Sequence, residues 1–247
     1  MARVLITGAS RGLGAAFARI AHDAGHEVFL VARDQGDLEA LAAELGSRAA
    51  VLVCDLADGA ALDAMWRDAG RVDVLINNAG LGGSGDFAAS DWDRERAMLD
   101  VNLLAATRLA KLAMGQMIPR GDGRILNVAS LAGYLPGPNM AIYFATKAYL
   151  RSLSEALWQE ARGRGVTVTA LCPGPVDTAF FDAGGLRGGR DMMDAATVAQ
   201  AGWDGMMRGR RMVIPGVGPK AIAIAATHLP RRLALAIAAK ALNHRPR

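Results

Sequence analysis

Short apolar runs alternate with longer amphipathic segments along the 247 residues of the chain. The runs are rich in Val, Ile and Leu, whereas the longer segments place Ala and Leu at helical spacing. This alternation is typical of a parallel sheet with helices on both faces. The predicted strands are residues 3–7, 27–32, 49–54, 72–77, 123–129, 165–171 and 211–214. No Pro-, Ser- or Gly-rich linker interrupts the pattern, so we predict an α/β fold with one doubly wound domain over residues 1–247.

The composition is that of an ordinary globular protein, but its charge is unevenly distributed. Hydrophobic residues make up 52% and charged residues 21%, with a net charge of +4. Nine basic and no acidic residues follow Asp204, so the first 204 residues carry a net charge of −5. A basic tail suits anionic lipid, an acidic carrier protein or a phosphorylated substrate. Charge runs are more often a solvated rim, here around a subunit contact, and we favour that interpretation. We predict no nucleic-acid partner.

The start of the chain and its apolar runs bear on its location. The first predicted strand begins at Arg3, which leaves no room for a signal peptide in front of it. No apolar run reaches the ~20 residues needed to cross a bilayer. We therefore expect a cytoplasmic protein. Cys54 and Cys172 stand at the ends of apolar runs and are expected to be reduced and buried.

A glycine-rich turn joins the first predicted strand to a helix that starts near Leu13. Glycine lets the backbone turn tightly and lets a phosphate approach the amides, and the helix N-terminus adds unpaired N–H groups. A turn that follows a strand and opens a helix predicts a dinucleotide loop, although the spacing departs from G-x-G-x-x-G. The candidate residues are Gly8, Ser10, Arg11, Gly12, Leu13 and Gly14.

The end of the second strand bears on the choice of cofactor. A carboxylate at this position would bind the ribose hydroxyls of NAD. Here the strand ends at Ala32 and the next residue is Arg33, so no carboxylate occupies the strand end. Arg33 and Arg11 together suit the 2′-phosphate of NADP, because their forked donors match phosphate oxygens. We therefore favour NADP(H) over NAD(H). A shift of one residue in register would bring Asp34 to the ribose and would favour NAD instead.

Further candidate residues lie at the ends of the third, fourth and sixth strands. Asp55 accepts from an adenine amino group or caps the next helix. Asn78 is expected to be mainly structural, tying neighbouring strands, and the small residues after it let a ribose lie against the backbone. After the sixth strand, Thr178 is placed to bond the nicotinamide carboxamide. The predicted cofactor contacts are Asp55, Leu56, Asn78, Ala79, Gly80, Pro173, Gly174, Val176 and Thr178.

Tyr143 and Lys147 are four residues apart in a predicted helix, so they lie on the same face. A nearby cation favours phenolate and lowers the pKa of the phenol, which suits proton transfer near neutral pH. Alone, such a pair is a weak motif. Ser130 ends the fifth strand thirteen residues earlier, where ligands bind open α/β sheets. Asn102 lies inside a helix, where asparagine is unfavourable, and this calls for a bound water or a local distortion.

Together these motifs resemble the classical short-chain dehydrogenase/reductase family. The matching motifs are T-G-x-x-x-G-x-G at 7–14, N-N-A-G at 77–80 and P-G at 173–174, with Asn102, Ser130, Tyr143 and Lys147 in the positions of the family's catalytic tetrad. The resemblance implies a Rossmann-type sheet of seven strands in the order 3-2-1-4-5-6-7. It also implies a homodimer or homotetramer joined through two long helices, here about 100–118 and 142–162.

The resulting hypothesis is an NADP(H)-dependent oxidoreductase acting on a carbonyl or secondary alcohol. Tyr143 protonates the carbonyl oxygen and Ser130 hydrogen-bonds to it. Lys147 lowers the pKa of Tyr143 and holds the nicotinamide ribose, and Asn102 steadies a water. An NAD-dependent alcohol dehydrogenase of the same family is the first alternative. A non-catalytic nucleotide sensor is the second, because fold does not imply function, but a sensor does not need the tetrad. No metal site is predicted.

Two segments lie outside the family motifs. Residues 179–193 are expected to form a lid, whose Phe180 and Phe181 contact the substrate together with Ser130, Leu131 and Tyr143; the apolar lining favours a lipophilic ketone, aldehyde or 3-oxoacyl group. Pro230 is expected to divide residues 218–243 into two short helices. Their apolar surface either packs on the body or lies on an anionic membrane. We favour packing, since residues 221–229 lack the strong Lys/Arg face of an interfacial helix.

Overall fold

The computed structural model describes residues 1–178 and 192–243. Its seven strands are all parallel and lie in the order β3-β2-β1-β4-β5-β6-β7, which confirms the predicted fold class and strand order. The strands are β1 Arg3–Thr7, β2 Glu27–Ala32, β3 Ala49–Val53, β4 Val74–Asn77, β5 Gly123–Val128, β6 Val166–Leu171 and β7 Met212–Val213.

Helices cover both faces of the sheet. The α-helices of the described residues are α1 Gly12–Asp23, α2 Gln35–Leu45, α3 Gly59–Ala69, α4 Trp92–Leu99, α5 Ala106–Arg120, α6 Ala141–Ala161, α7 Ala195–Met207, α8 Val217–His228 and α9 Arg231–Asn243. A π-helix at Asp100–Ala105 and a 3-10 helix at Leu131–Tyr134 lie between them. None of the helices in the described ranges is long and apolar enough to cross a membrane.

Two hydrophobic cores lie on opposite faces of the sheet. Successive side chains of a strand point to opposite faces, so Val4 and Ile6 of β1 enter one core while Leu5 enters the other. Helices α1, α2 and α7 cover the first core, and α3, α5 and α6 cover the second. Cys54 and Cys172 are buried and form no disulfide, as expected. A sheet enclosed in this way leaves its strand ends as the place for a site.

Several element boundaries differ from the prediction by a few residues. β4 begins at Val74, two residues later than predicted, because the amide of Val72 donates to Gln116 Oε1 (3.3 Å) and not to a neighbouring strand. The helix predicted at about 100–118 begins with the π-helix and becomes α-helical only at Ala106. The second long helix ends at Ala161, close to the predicted 162.

The C-terminal segment forms two helices on either side of Pro230, as predicted. The prediction that the segment packs on the body holds for only one face of it. Alanine residues at 223, 226, 234 and 238 are buried, and α8 packs beside the 3-10 helix. The larger Ile and Leu side chains of both helices remain exposed. No residue in the described part of the chain covers these exposed side chains.

A buried polar network ties four elements together behind the site. Asn77 Nδ2 donates to Asn127 Oδ1 (2.9 Å) and to the carbonyl of Ala106 (3.1 Å). Asn127 Nδ2 donates to Ser154 Oγ (2.9 Å), and Ser154 Oγ donates to the carbonyl of Leu150 (2.6 Å). The network joins β4, β5, α5 and α6, so it fixes α6 against the sheet.

Replacing Ser154 by alanine tests this anchor. The change leaves Asn127 Nδ2 buried without its acceptor, which costs about 1–3 kcal/mol of unfolding free energy. We expect the thermal midpoint to fall by about 2–4 °C for each kcal/mol lost in a chain of this size. Ser152→Ala, at an exposed position of the same helix, is the matched control and should melt like the parent protein. Equal midpoints for both variants would show that the network contributes nothing to stability.

Candidate active site

The predicted site residues converge at the carboxyl ends of the parallel strands. A Cβ built on Gly8 would lie 2.9 Å from Ala79 Cα, which brings the loop after β1 against the loop after β4. A Cβ built on Gly80 would lie 3.4 Å from both Asn102 Oδ1 and Lys147 Nζ. The loops from β5 and β6 are joined where the amide of Leu131 donates to the carbonyl of Pro173 (2.9 Å). Ligands of open α/β sheets bind at this edge.

The loop after β1 fits a dinucleotide. Gly8 and Gly12 have φ values of +64° and +56°, which side chains rarely adopt. A Cβ on Gly14 would lie 2.0 Å from the carbonyl oxygen of Gly8, so this position requires glycine. The N-cap residue of α1, Arg11, makes no side-chain cap, so the first-turn amides of α1 have no capping side chain. A helix start of this kind binds phosphate.

Asn78 ties β1 to β4, the structural role expected for it. Its Nδ2 donates to the carbonyls of Thr7 (2.9 Å) and Gly8 (3.1 Å). The amides of Asn78 and Ala79 both donate to Thr7 Oγ1 at 3.0 Å. Thr7 was not singled out from the sequence as a site residue, although its place just before the glycine loop is the kind of position that could have identified it. These bonds shape the surface on which a ribose would lie.

Tyr143, Ser130 and Lys147 meet where β5 ends against α6. The side chains of Tyr143 and Ser130 share a hydrogen bond, and Ser130 Oγ also accepts from the amide of Ala132 (3.1 Å). Lys147 Nζ donates to the carbonyl of Val128 (2.8 Å) and lies 5.9 Å from the centre of the Tyr143 ring. A phenol, a hydroxyl and an ammonium therefore stand together, with their hydrogen bonds directed by the backbone of β5 and its loop.

Burial shifts the pKa values of both titratable residues. It raises the pKa of Tyr143 to about 12, against the opposing hydrogen bond from Ser130. It lowers the pKa of Lys147 to about 8. The predicted lowering of the pKa of Tyr143 is therefore wrong in its net direction, because burial of the phenol disfavours the charged phenolate. Tyr143 is protonated at neutral pH, which is the form that gives a proton to a carbonyl oxygen.

Asn102 lies within the π-helix and is almost fully buried. Its Oδ1 accepts from the amide of Leu81 (2.7 Å), and its Nδ2 donates to the carbonyl of Leu81 (2.8 Å) and to Thr146 Oγ1 (3.2 Å). Of the two predicted reasons for an asparagine inside a helix, the local distortion is the one observed. The side-chain amide of Asn102 thus bonds both the N–H and the C=O of Leu81, as a neighbouring strand would. Its third bond, to Thr146, holds the loop after Gly80 against α6.

Three further residues position the site and were missed in the sequence. Thr146 bonds Asn102, as described above. A Cβ on Gly133 would lie 2.7 Å from the carbonyl oxygen of Lys147, so the 3-10 helix after Ser130 packs directly on α6. Arg151 Nε donates to the carbonyl of Gly133 (3.2 Å), and its guanidinium stacks on the Tyr134 ring at 4.4 Å. Arg151 follows Lys147 by four residues on the helix, and that spacing could have indicated it.

The candidates after β3 divide into an exposed and a buried one. Asp55 is exposed at the strand end and accepts from the amide of Ala57 (3.0 Å). The alternative that Asp55 caps the next helix is wrong, because Asp58 caps α3 by accepting from the amides of Ala60 (2.8 Å) and Ala61 (3.2 Å). Leu56 is buried in the core beside α3. The contact of Asp55 with adenine stays a prediction.

The loop after β6 closes over the glycine turn. A Cβ on Gly12 would lie 3.0 Å from Thr178 Cγ2, and Thr178 Oγ1 donates to the carbonyl of Val176 (3.5 Å). Gly174 lies against Pro219 of α8, where a Cβ would be 3.1 Å from the proline ring. Phe180 and Phe181, with most of the predicted lid 179–193, lie outside the described residues.

The two arginines predicted to bind a 2′-phosphate differ in their surroundings. Arg11 Nη2 contacts Asp37 Oδ2 at 2.7 Å and Asp34 Oδ2 at 3.8 Å. Asp34 caps α2 by accepting from the amide of Asp37 (3.0 Å). Arg33 is exposed directly after β2, and no ion pair involves it within the residues that the structure describes. The region therefore holds two cations and two carboxylates.

The match to a family model settles which family this is. Residues 2–184 match the model described as short chain dehydrogenase, and the chain belongs to this family of oxidoreductases. Nodulation protein G of Rhizobium meliloti (strain 1021) is 39% identical over 187 residues, which cover 73% of this chain and 75% of that protein.

Two solved structures are similar over most of the chain. A short-chain dehydrogenase from Sphingobium yanoikuyae in complex with NADPH is 34% identical, with a TM-score of 0.84 over 92% of this chain and 93% of that one. The 3-ketoacyl-(acyl-carrier-protein) reductase from Brucella melitensis complexed with NADH is 26% identical, with a TM-score of 0.79 over 87% of this chain and 96% of that one.

The lowered pKa of Lys147 predicts how stability depends on pH. Between pH about 8 and 10.5 the unfolded chain keeps the lysine proton that the folded protein has released. The unfolded state binds more protons at this lysine there, so the contribution of Lys147 to the free energy of unfolding should rise with pH across this window, while the raised pKa values of Cys54 and Cys172 act in the opposite sense above pH about 9. Lys147→Met should remove the rising contribution. The measurement is urea unfolding at several pH values, with Lys111→Met, at an exposed position of α5, as the control that keeps it. Parallel pH profiles for the parent protein and Lys147→Met would contradict the assignment.

Proposed function

We propose that this protein is an NADP(H)-dependent carbonyl reductase that acts on a lipophilic ketone, aldehyde or 3-oxoacyl group. The observation that carries the proposal is the hydrogen bond between Tyr143 and Ser130, placed beside buried Lys147 at the carboxyl edge of the sheet. A protein that only sensed a dinucleotide would have no need for a buried, protonated phenol at this point.

The side chains divide the chemistry between them. When bound, the dinucleotide supplies or accepts the hydride at the carbon of the carbonyl group. Tyr143 gives its proton to the carbonyl oxygen, and Ser130 donates a hydrogen bond to the same oxygen as negative charge develops there. Lys147 Nζ lies 5.9 Å from the centre of the Tyr143 ring and, when protonated, stabilises the resulting phenolate. Asn102 keeps the loop after Gly80 in place, so that the ribose surface and α6 stay in register.

Cofactor preference depends on the charges after β2. Arg33 is exposed at the strand end, and the Arg11–Asp37 pair is largely exposed, so exchanging that pair for a phosphate costs about 1 kcal/mol or less. The relative from Sphingobium yanoikuyae was solved with NADPH, which supports the preference. Asp34 and Asp37 beside Arg11 favour a second candidate, an NAD-dependent alcohol dehydrogenase, because carboxylates bind ribose hydroxyls.

The substrate class rests on apolar residues in the loops after β5 and β6. Leu131 follows Ser130 directly, and in the loop after β6 Val176 forms a backbone bridge with Met193. The relative from Brucella melitensis is a 3-ketoacyl reductase, which supports a 3-oxoacyl substrate. We also propose a homodimer or homotetramer joined through the exposed face of α5 and α6. Leu104 of the π-helix before α5 is exposed there.

Replacing Tyr143 by phenylalanine tests the proposed proton donor. Loss of a general acid should lower turnover by about 10²–10⁴-fold or more while cofactor binding stays close to normal. The assay is NADPH consumption with a panel of apolar ketones, aldehydes and 3-oxoacyl thioesters beside sugar ketones. Tyr149→Phe removes a hydroxyl from an exposed position of the same helix and is the matched control. Near-normal turnover by Tyr143→Phe on any reactive substrate would remove Tyr143 from the mechanism.

The cofactor assignment is tested by titration. We expect NADPH to bind the parent protein more tightly than NADH. Arg33→Ala should weaken NADPH binding about tenfold or more, the effect of losing a hydrogen bond to a charged group, and leave NADH unchanged. Arg67→Ala, an exposed arginine near the end of α3 and away from the site, should change neither. Equal affinity for both dinucleotides in the parent protein would refute the preference and favour the NAD-dependent alternative.

A further inference from the structure

The two C-terminal helices are packed with their small side chains inward and their large apolar side chains outward. Ala223 and Ala226 of α8, and Ala234 and Ala238 of α9, are buried against the body. Val217 is 85% exposed and Ile224 is 63% exposed. A surface helix of a globular protein normally has the reverse arrangement, with its large apolar side chains facing the core. Exposed apolar side chains that share a helix face are Val217 with Ile224 on α8 and Leu233 with Ile237 on α9, and we call these four residues the C-terminal surface.

The two helices that carry the C-terminal surface also carry unbalanced positive charge. No acidic residue follows Asp204 in the chain. Arg208 and Arg211 are paired with Asp204 and Glu155, at 3.6 Å in both cases. Lys220, Arg231 and Arg232 form no ion pair with any residue that the structure describes. Only two residues separate α8 from α9, so Arg231 and Arg232 at the start of α9 bring to the end of α8 the cations that residues 221–229 lack.

The positive charge of these helices determines which kind of partner the C-terminal surface can bind. A second copy of this chain at the same face would bring Lys220, Arg231 and Arg232 against their own counterparts, which is unfavourable. An anionic bilayer accepts both features, because apolar side chains enter the acyl boundary while Lys and Arg stay with the headgroups. Helices of 12 and 13 residues are too short to span the bilayer and would lie flat on it. We propose that the C-terminal surface docks this protein on an anionic lipid bilayer.

The docking surface adjoins the candidate active site. Pro219, near the start of α8, lies against Gly174 of the loop after β6. Helix α8 also packs beside the 3-10 helix that follows Ser130. A bilayer on this surface would therefore meet the rim of the site, from which a lipophilic substrate would enter. This consequence rests on the proposed function, whereas the docking itself does not.

Sedimentation with vesicles tests the docking on the full chain. We expect the protein to sediment with phosphatidylcholine vesicles that contain phosphatidylglycerol and to stay in solution with phosphatidylcholine alone. High salt should release it, since the Debye length falls from about 10 Å at 0.1 M to about 3 Å at 1 M. Arg231→Ala with Arg232→Ala should lower the partition constant roughly 25-fold, about fivefold for each charge near the surface.

Matched variants separate docking from folding and from catalysis. Arg67→Ala with Arg164→Ala removes the same charge from positions near the end of α3 and before β6, and should not change partition. Ile224→Asp should weaken binding, and Ile224→Leu should retain it, provided that both melt like the parent protein. Tyr143→Phe should bind vesicles as the parent protein does. Loss of activity in this variant can therefore be distinguished from loss of membrane docking.

Two results would overturn the proposal. One is a parent protein that stays in solution with the phosphatidylglycerol vesicles or binds both vesicle types equally. The other is a smaller oligomer for Ile224→Asp, by light scattering, in a protein that binds no vesicles, which would show that a second copy covers the surface.

Discussion

The buried ammonium of Lys147 is the group around which the site is arranged. Its hydrogen bond to the carbonyl of Val128 (2.8 Å) joins the middle of the site helix α6 to the end of β5. The neighbours on either side are glycines: Gly80 lies beside the ammonium and Gly133 lies on the carbonyl of Lys147 itself. A side chain at Gly133, whose Cβ would lie 2.7 Å from that carbonyl oxygen, would push α6 away from the strand ends. The phenol of Tyr143, one turn earlier, would then lose its hydrogen bond with Ser130.

Burial of this ammonium and of the phenol has a cost in solvation that the surrounding network offsets. The pKa of Lys147 falls to about 8 and that of Tyr143 rises to about 12, so both residues are pushed toward their neutral forms. Rigid placement keeps the two groups together despite that preference. The network of Asn77, Asn127 and Ser154 fixes the later turns of α6, and Asn102 with Thr146 fixes the turn that carries Lys147.

Much of this arrangement could be predicted from sequence, and the remainder depended on contacts between distant residues. The alternation of apolar runs predicted the sheet, and ordered motifs placed Ser130, Tyr143 and Lys147 at one edge of it. Asn102 was recognisable because its amide is unfavourable inside a helix. Its partner Leu81 was not, since nothing in the composition of the loop marks a backbone group as the acceptor and donor of a side chain. The N-cap of α3 could likewise not be assigned from the sequence, because both Asp55 and Asp58 lie just before the helix; in the structure the cap is Asp58.

The pKa of Tyr143 shows why motif spacing alone is insufficient for chemistry. Spacing establishes that a cation is near, but the sign of the net shift depends on how completely the phenol is removed from water. The C-terminal helices show the same limit for surfaces. Their Ala, Leu and Ile content predicts that one face is buried, yet only packing decides which. Alanine fits closely against the body beside the 3-10 helix, and the larger side chains are left outside. An apolar face that could have been core is thereby kept on the surface, next to the cations of Arg231 and Arg232.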